Sequence, residues 1–364
     1  MSAAAHDLLY EALERRFEDG SRRAVLVVGA GLHHHLRAAS RVELSAADWG
    51  HLASWNGLLA TVASELQQPS VVHEDPSATW ESLLSRMAIS AHNRNGQTLP
   101  VNETEAIALE TLAKKLERLP YPTETLASLG HALSQYRDVV SLNIDSTLHG
   151  ALSSADATLT RPEVAHDLRR LRPSALWQTR LRSGRLWQPH GNIREPDTVV
   201  LGVRAYARSL DKLQESWNFA KTVEKKWNAK PAAGNWTPEL AERWWAVRRG
   251  IEPFEPPGDA GSLRLTWLDL FLGSDLIFIG TGLDRAETDL WWALHMRQRN
   301  LARVPPRQRP GTFALFEKAL CPSHLTSSPA GVMPVIFQSW KEAWDMILPP
   351  ATRRTSGRLP GPVA

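Results

Sequence analysis

Apolar and polar positions divide this chain into strands and helices that follow one another in turn. Ala24-Val25-Leu26-Val27-Val28 is an unbroken apolar run that stops at Gly29-Ala30-Gly31. A strand apolar on both sides suits the interior of a parallel sheet. Four segments with helical periodicity follow, at about 52–67, 77–92, 104–118 and 124–136. Ser77 with Glu81, Thr104 with Glu105, and Thr123 with Glu124 are polar residues of the kind found near helix starts. A second strand is expected over Asp138–Asn143, then a helix-and-loop region with little pattern over 146–183. A third strand is expected from Arg185 to Pro189, running into His190-Gly191-Asn192, and a short one over Thr198–Leu201.

Helices are expected from there to about 273, broken by a Pro-rich loop from Glu252 to Gly258. Asp275–Gly280 reads as a strongly buried strand, 286–300 as a helix, Thr312–Phe316 and Val332–Phe337 as further strands, and 339–348 as an amphipathic helix. At the start of the chain, Leu8, Leu9, Leu13 and Phe17 lie at the spacing of one helical face. The tail from Pro349 has the composition of a disordered segment. This alternation predicts an α/β fold: a mostly parallel sheet with helices on both faces. Residues 1–348 are expected to form one domain, with helical insertions at about 50–136 and 203–273 that pack as an added layer. No internal repeat is visible.

Composition narrows the class. Apolar residues make up 43% and charged residues 22% of 364 residues, ordinary for a globular chain able to bury a large core. No run approaches the roughly eighteen apolar residues of a membrane span, and the N-terminus is too charged for a secretory leader. Cys321 is the single cysteine, which excludes an internal disulfide framework and a cysteine-rich zinc module. A cytoplasmic location is the resulting expectation. The net charge of +3 is spread along the chain. The densest basic run, Arg169, Arg170, Arg172, Arg180, Arg182 and Arg185 with Trp177 and Trp187, reads either as a nucleic-acid surface or as a solvated helix and loop. Tryptophan is abundant, at 15 residues. Trp217, Trp227, Trp236, Trp244 and Trp245 fit helix packing or an oligomer surface.

Four short segments follow predicted strands, at the sheet edge where ligands bind in open α/β folds. Gly29-Ala30-Gly31 is either a tight turn or a place where backbone amides approach a pyrophosphate. Asn143-Ile144-Asp145 puts two polar side chains at a strand end, with helix capping by Asp145 as the plainer reading. His190-Gly191 puts a residue that titrates near neutrality at another, suited to acid–base work or to a hydrogen-bonded turn. Gly280-Thr281-Gly282, with Asp284 beyond, is a second small-residue turn.

In this order the segments resemble the SIR2 (sirtuin) family, with His149 just beyond Asn143-Ile144-Asp145. The chain is still more similar to the SIR2-like NAD-consuming proteins of bacterial anti-phage defence, on Trp55–Leu59, Tyr206 and Asp284. The likeness extends over about 24–348. It implies a Rossmann-like fold with NAD as substrate and no metal. Gly29, Ala30 and Gly31 would cradle the NAD phosphates, with Gly280, Thr281 and Gly282 on the adenosine side. Asn143 and Asp145 would hold the nicotinamide ribose, and His190 would be the catalytic histidine. Two positions depart from the family pattern: His33 replaces a usual Ser beside the phosphates, and Leu142 replaces the usual Gln before Asn143.

The missing cysteines weaken a protein-deacylase reading. The resemblance implies an NAD glycohydrolase releasing nicotinamide and ADP-ribose. A non-catalytic NAD or ADP-ribose sensor, a protein deacylase or ADP-ribosyltransferase, and a nucleic-acid-processing component are the alternatives. Relatives of this kind are restrained by oligomerisation, an added sensor or a partner such as a ring-shaped ATPase. A homo-oligomer or a separate regulatory protein is therefore expected, with 203–250 as the candidate interface.

Overall fold

The central strand is where the apolar run predicts it. In the computed structural model β1 (Ala24–Val28) pairs in parallel with β6 (Asp275–Ile279) from Ala24 opposite Asp275 to Val28 opposite Ile279. On its other side lies β2 (Asp138–Ser141), also parallel. The structure describes residues 3–14, 24–40, 54–69, 75–96, 99–116, 121–162, 171, 173–228, 266–283, 287–302, 304, 306, 309–325 and 330–348.

With β3 (Thr158–Thr160), β4 (Pro173–Gln178), β5 (Ser183–Trp187), β7 (Thr312–Glu317) and β8 (Met333–Phe337), the described strands form an eight-stranded sheet in the order β3-β4-β5-β2-β1-β6-β7-β8. The stretch from β5 to β8 is parallel throughout, and β3 and β4 are antiparallel additions at one edge. Ranked by chain position, the six parallel strands run 3-2-1-4-5-6, the order of dinucleotide-binding sheets. The fold is α/β and Rossmann-like.

Side chains alternate across β1 because a strand repeats every two residues. Leu26 and Val28 pack into one core with α1 (Ala3–Glu14), α2 (Gly31–Ser40), α6 (Thr123–Leu133), α7 (Thr147–Ser154) and α11 (Trp340–Ile347). Val25 and Val27 face α8 (Gly202–Asn228), α9 (Trp267–Gly273) and α10 (Thr288–Leu301). A third core joins α3 (Trp55–Glu65), α4 (Pro76–Asn95) and α5 (Val101–Leu116) to Ile144, Ile193, Val199 and Leu201, which follow β2 and β5. This helical layer therefore covers the carboxyl edge of the sheet. The start of α8 rests on α4: a Cβ on Gly202 would sit 2.5 Å from Trp80 Cδ1, and the Val203 amide donates to the Glu81 carboxylate at 3.0 Å.

Several expectations need correcting. The patternless region 146–183 contains α7 and the edge strands β3 and β4. In β4 Ala175 and Trp177 point inward while Leu176 is exposed, an alternation hidden by a small inward residue beside a large outward one. Thr198–Leu201 is not a strand: a 3-10 turn over Pro196–Thr198 leads into an extended segment whose apolar residues bury against the helical layer. Leu8 is exposed although Leu9 and Leu13 are buried. The cap of α4 is Asp75, accepting from the Ser77 amide at 2.8 Å, two residues ahead of the expected start. Helix α6, and from the expected insertion 203–273 helix α9 and Leu213 of α8, belong to the sheet cores rather than to the added layer. Phe17, the loop 252–258 and the tail from 349 lie outside the described residues. No helix among the described residues is long and apolar enough to cross a membrane.

The turns after β1 and β6 touch backbone to backbone. A Cβ on Gly31 would lie 2.6 Å from Gly280 Cα, whereas one on Gly282 would meet nothing within 4 Å among the described residues. Gly31→Ala should therefore lose about 1–3 kcal/mol of stability in chemical denaturation, and Gly282→Ala no more than about 0.5 kcal/mol. Equal unfolding midpoints for the two variants would refute the contact.

Candidate functional site

In a doubly wound sheet the ligand crevice opens at the carboxyl edge where the strand order reverses. Here that point lies between β1 and β6, the strands that end in Gly29-Ala30-Gly31 and Gly280-Thr281-Gly282. The Gly29 amide donates to the Ile279 carbonyl (3.0 Å) and the Gly31 amide to the Gly280 carbonyl (2.7 Å). The amides of Leu32 and His33 donate back to Gly29 and Ala30. These four N–H groups serve the turn itself, so the first work of the glycines is the close approach of two backbones. The open flank of the pair is Gly282, which is exposed. Thr281 turns its hydroxyl inward to accept the Leu283 amide (3.1 Å). Asp284 lies outside the described residues.

At the end of β2, Ser141 Oγ accepts the Asn143 amide (3.2 Å) and donates to the Asn143 carbonyl (3.0 Å), fixing the bend. Ile144 plugs into the helical layer. Asp145 is buried and does two jobs. One oxygen accepts the Thr147 amide at the start of α7 (2.7 Å), which is the capping role weighed from the sequence. The other lies 3.1 Å from His33 Nε2, and His33 Nδ1 lies 3.0 Å from the Tyr121 hydroxyl. The chain Tyr121–His33–Asp145 thus ties the first turn of α2 to the end of β2. Burial disfavours the Asp145 charge, but His33 and the Thr147 bonds outweigh it and hold the carboxyl at about 2. The Tyr121 phenol is pushed up, by burial first and by the Asp145 charge second.

At the end of β5 the segment Gln188–Asn192 carries three polar side chains on alternate residues. His190 Nδ1 reaches the Leu142 carbonyl at 3.2 Å. Its Nε2 lies 3.4 Å from Asp289 Oδ1 without hydrogen-bond alignment. Asp289, in the first turn of α10, accepts from Ser209 Oγ (3.0 Å) and from the Leu290 amide (2.8 Å). The histidine is 1% and the aspartate 0% exposed, so both are shut from bulk water. Burial lowers the proton affinity of His190, but Asp289 and then Glu287 more than restore it, raising the imidazole to about 9. The Tyr206 ring stands edge-on to His190 at 5.8 Å.

Gln188 donates to the carbonyls of Asn143 and Asp145 (both 3.3 Å) and accepts from Asn192 Nδ2 (2.7 Å). That nitrogen also lies 3.4 Å from His149 Nδ1. Burial first, and Arg194 second, press His149 down to about 4. Within this cluster Asn143 Nδ2, Thr147 Oγ1 and His190 Nε2 are buried without a hydrogen-bond partner among the described residues. Such atoms are uncommon in folded proteins and call for a reason.

The structure therefore gathers Asn143, Asp145, His149 and His190 with His33 beside the two glycine turns. Sequence reasoning missed Asp289, Ser209, Tyr121 and Gln188. The alternate spacing of Gln188, His190 and Asn192 was a usable signal for Gln188, because extended chain turns every second residue to one side. Trp55 is half-buried, and Leu58 and Leu59 are core residues of the helical layer. Of the basic run, Trp177 and Trp187 are core residues, and Arg185 forks onto Asp138 at 2.6 and 2.8 Å. Arg180 and Arg182 are exposed, and Arg169, Arg170 and Arg172 lie outside the described residues. Trp217 is partly buried against the α8 core. The side chain of Trp227, and all of Trp236, Trp244 and Trp245, lie outside the described residues. Among the described residues no group of three or more His, Cys, Asp or Glu is placed to hold a metal ion.

Neither models of protein families nor the sequences of curated proteins match this chain.

The depressed Asp145 carboxyl has a stability consequence of definite sign. A group whose folded value lies below its unfolded value, about 4, stabilises the fold above that pH and ceases to do so as pH falls through the folded value. Between pH about 4 and 2 the protein should lose on the order of 2 kcal/mol through this group. Asp145→Asn should remove that portion of the acid limb in urea titrations at stepped pH. An unchanged acid limb would refute the assignment.

Proposed function

We propose that this chain is a SIR2-like NAD glycohydrolase that binds NAD at the β1–β6 switch point and cleaves its nicotinamide–ribose bond. The observation that carries this reading is the pair of buried nitrogens without hydrogen bonds, Asn143 Nδ2 and His190 Nε2, at the carboxyl ends of adjacent strands beside two glycine turns. A buried polar group left unsatisfied costs about 1–3 kcal/mol. A polyhydroxylated ligand such as a ribose would satisfy both. The strand order is that of dinucleotide-binding sheets, which supports the choice of ligand.

The chemistry asks little of the protein. The bond from ribose C1′ to the pyridinium nitrogen breaks and its electron pair goes to that nitrogen, so nicotinamide leaves neutral without a proton from a general acid. A water oxygen bonds to C1′, and the proton that the water loses is taken up by neutral His190. Asn143 orients the water or the ribose hydroxyls. Asp145, held ionised, lends negative charge near the oxocarbenium-like centre. His190 acts as base in its neutral form, which is the minor form below about pH 9. The rate should therefore climb from pH 7 toward 9. Because unrestrained loss of NAD harms the cell that makes such an enzyme, a homo-oligomer or a separate regulatory partner belongs to this reading, as does a role in anti-phage defence by NAD depletion.

A non-catalytic NAD or ADP-ribose sensor is the second reading. One observation favours it: both ring nitrogens of His190 lie within reach of protein groups. One experiment separates the two. The purified protein is incubated with NAD, and nicotinamide and ADP-ribose are quantified beside His190→Ala and Asn143→Ala. Equal release of both products, reduced at least about 100-fold in each variant, is the expected outcome. Saturable NAD binding without release would establish the sensor. Neither binding nor release would overturn both readings.

A further inference from the structure

We propose that Asp289 is a positioning residue for His190, an electrostatic clamp locked in place by Ser209 of α8. The inference rests on the NAD-hydrolase reading for its catalytic meaning, although the clamp itself is a property of the fold.

The geometry of the ring sets its protonation. The Leu142 carbonyl only accepts, so at 3.2 Å it requires a proton on His190 Nδ1. A neutral imidazole would then turn the lone pair of Nε2 toward the Asp289 carboxylate at 3.4 Å, which is repulsive. A doubly protonated ring has no such conflict, so the carboxylate favours the charged ring at rest. Asp289 cannot readily turn away. Ser209 Oγ holds Oδ2, the Leu290 amide holds Oδ1, and the side chain is fully buried at the start of α10. Among the described residues, the titratable groups facing the ring are Asp289 and Glu287 from the start of α10 and Tyr206 from α8. The end of β2 supplies the Leu142 carbonyl.

The clamp is also incomplete in one useful respect. At 3.4 Å and out of alignment, the Nε2–Asp289 contact is attraction between charges rather than a formed hydrogen bond. Nε2 is therefore held in place yet still able to bond an arriving hydroxyl. Tyr206 and Ser209 are three residues apart, on one face of α8. A single helix thus presses on the histidine ring and fixes the aspartate behind it.

The test uses the full chain and two readouts. Asp289→Asn keeps the size of the side chain and removes its charge. The ascending limb of the pH profile for NAD hydrolysis should move down by at least about one pH unit, a tenfold loss of proton affinity. KM should change little, because Asp289 is placed behind the histidine rather than at the ribose. The His190 ring, followed by NMR in isotope-labelled protein and assigned with His190→Gln, should show the same downward shift. Ser209→Ala should shift both readouts in the same direction by a smaller amount. A folded Asp289→Asn with an unmoved ring titration would overturn the clamp. Should Asp289→Asn fail to fold, an unmoved titration in Ser209→Ala would do the same. If the unmodified protein hydrolyses no NAD, the hydrolase reading falls while the ring titration still decides the clamp.

Discussion

The contact between the turns that follow β1 and β6 governs the carboxyl edge of this sheet. Gly29 and Gly31 lie so close to Gly280 and Thr281 that a Cβ on either would stand 2.6 Å from the facing backbone. Two strands paired in register from their first residues bring their ends together in any case. Glycine lets them stay together while both chains turn away to opposite faces. That contact fixes where α2 begins, and hence where His33 stands relative to Asp145. It also forms the floor of the carboxyl edge between β1 and β6, with Gly282, one step beyond, exposed. A larger residue in the turn would separate the two strands at their carboxyl ends.

Around that floor the protein buries more charge than stability alone would favour. Taking an ion out of water is costly, and an ion pair in the interior often does no better than well-packed apolar residues. Two buried carboxylates are nevertheless held there, Asp145 beside His33 and Asp289 beside His190. Each is braced by further hydrogen bonds. The result is a set of groups with separated proton affinities in one cluster: Asp145 ionised down to about 2, His149 neutral down to about 4, His190 charged up to about 9. Environments that push titratable groups apart in this way are characteristic of sites that assign acid and base roles to neighbouring residues.

The sequence carried the sheet and the frame of the site well, and for one physical reason. A strand buried on both faces is an uninterrupted apolar run, so β1, β2 and β6 stood out together with the glycines that end them. Strands exposed on one face were harder. In β4 the apolar residues Ala175, Leu176 and Trp177 are consecutive although only the first and third are buried, and three-residue β3 has too few positions to show any period. Thr198–Leu201 misled because apolar residues bury as well against helices as in a sheet. Within the site, residues adjacent to strand ends were legible, whereas their partners were not. Asp289 and Tyr121 reach His190 and His33 only through the tertiary fold, from elements far along the chain. A local pattern records what a segment buries, not what it meets. Asp289 was also masked by its position in the first turn of a helix, where an acidic residue needs no further explanation.

Helix α8 links these parts. Its first turn is seated on α4, through Gly202 against Trp80 and the Val203 amide on Glu81. One turn later Tyr206 and Ser209 meet the histidine–aspartate pair, and Leu213 enters the core beneath the sheet. The helical layer, the candidate site and the sheet are thus joined along three successive turns of one element. Closely packed interiors transmit displacement because they hold few voids to absorb it. The glycine turns, by contrast, are held by backbone bonds of their own, none of them to α8. The bonds that fix Asp289 and those that fix the glycine turns are therefore separate sets, and α8 takes part only in the first.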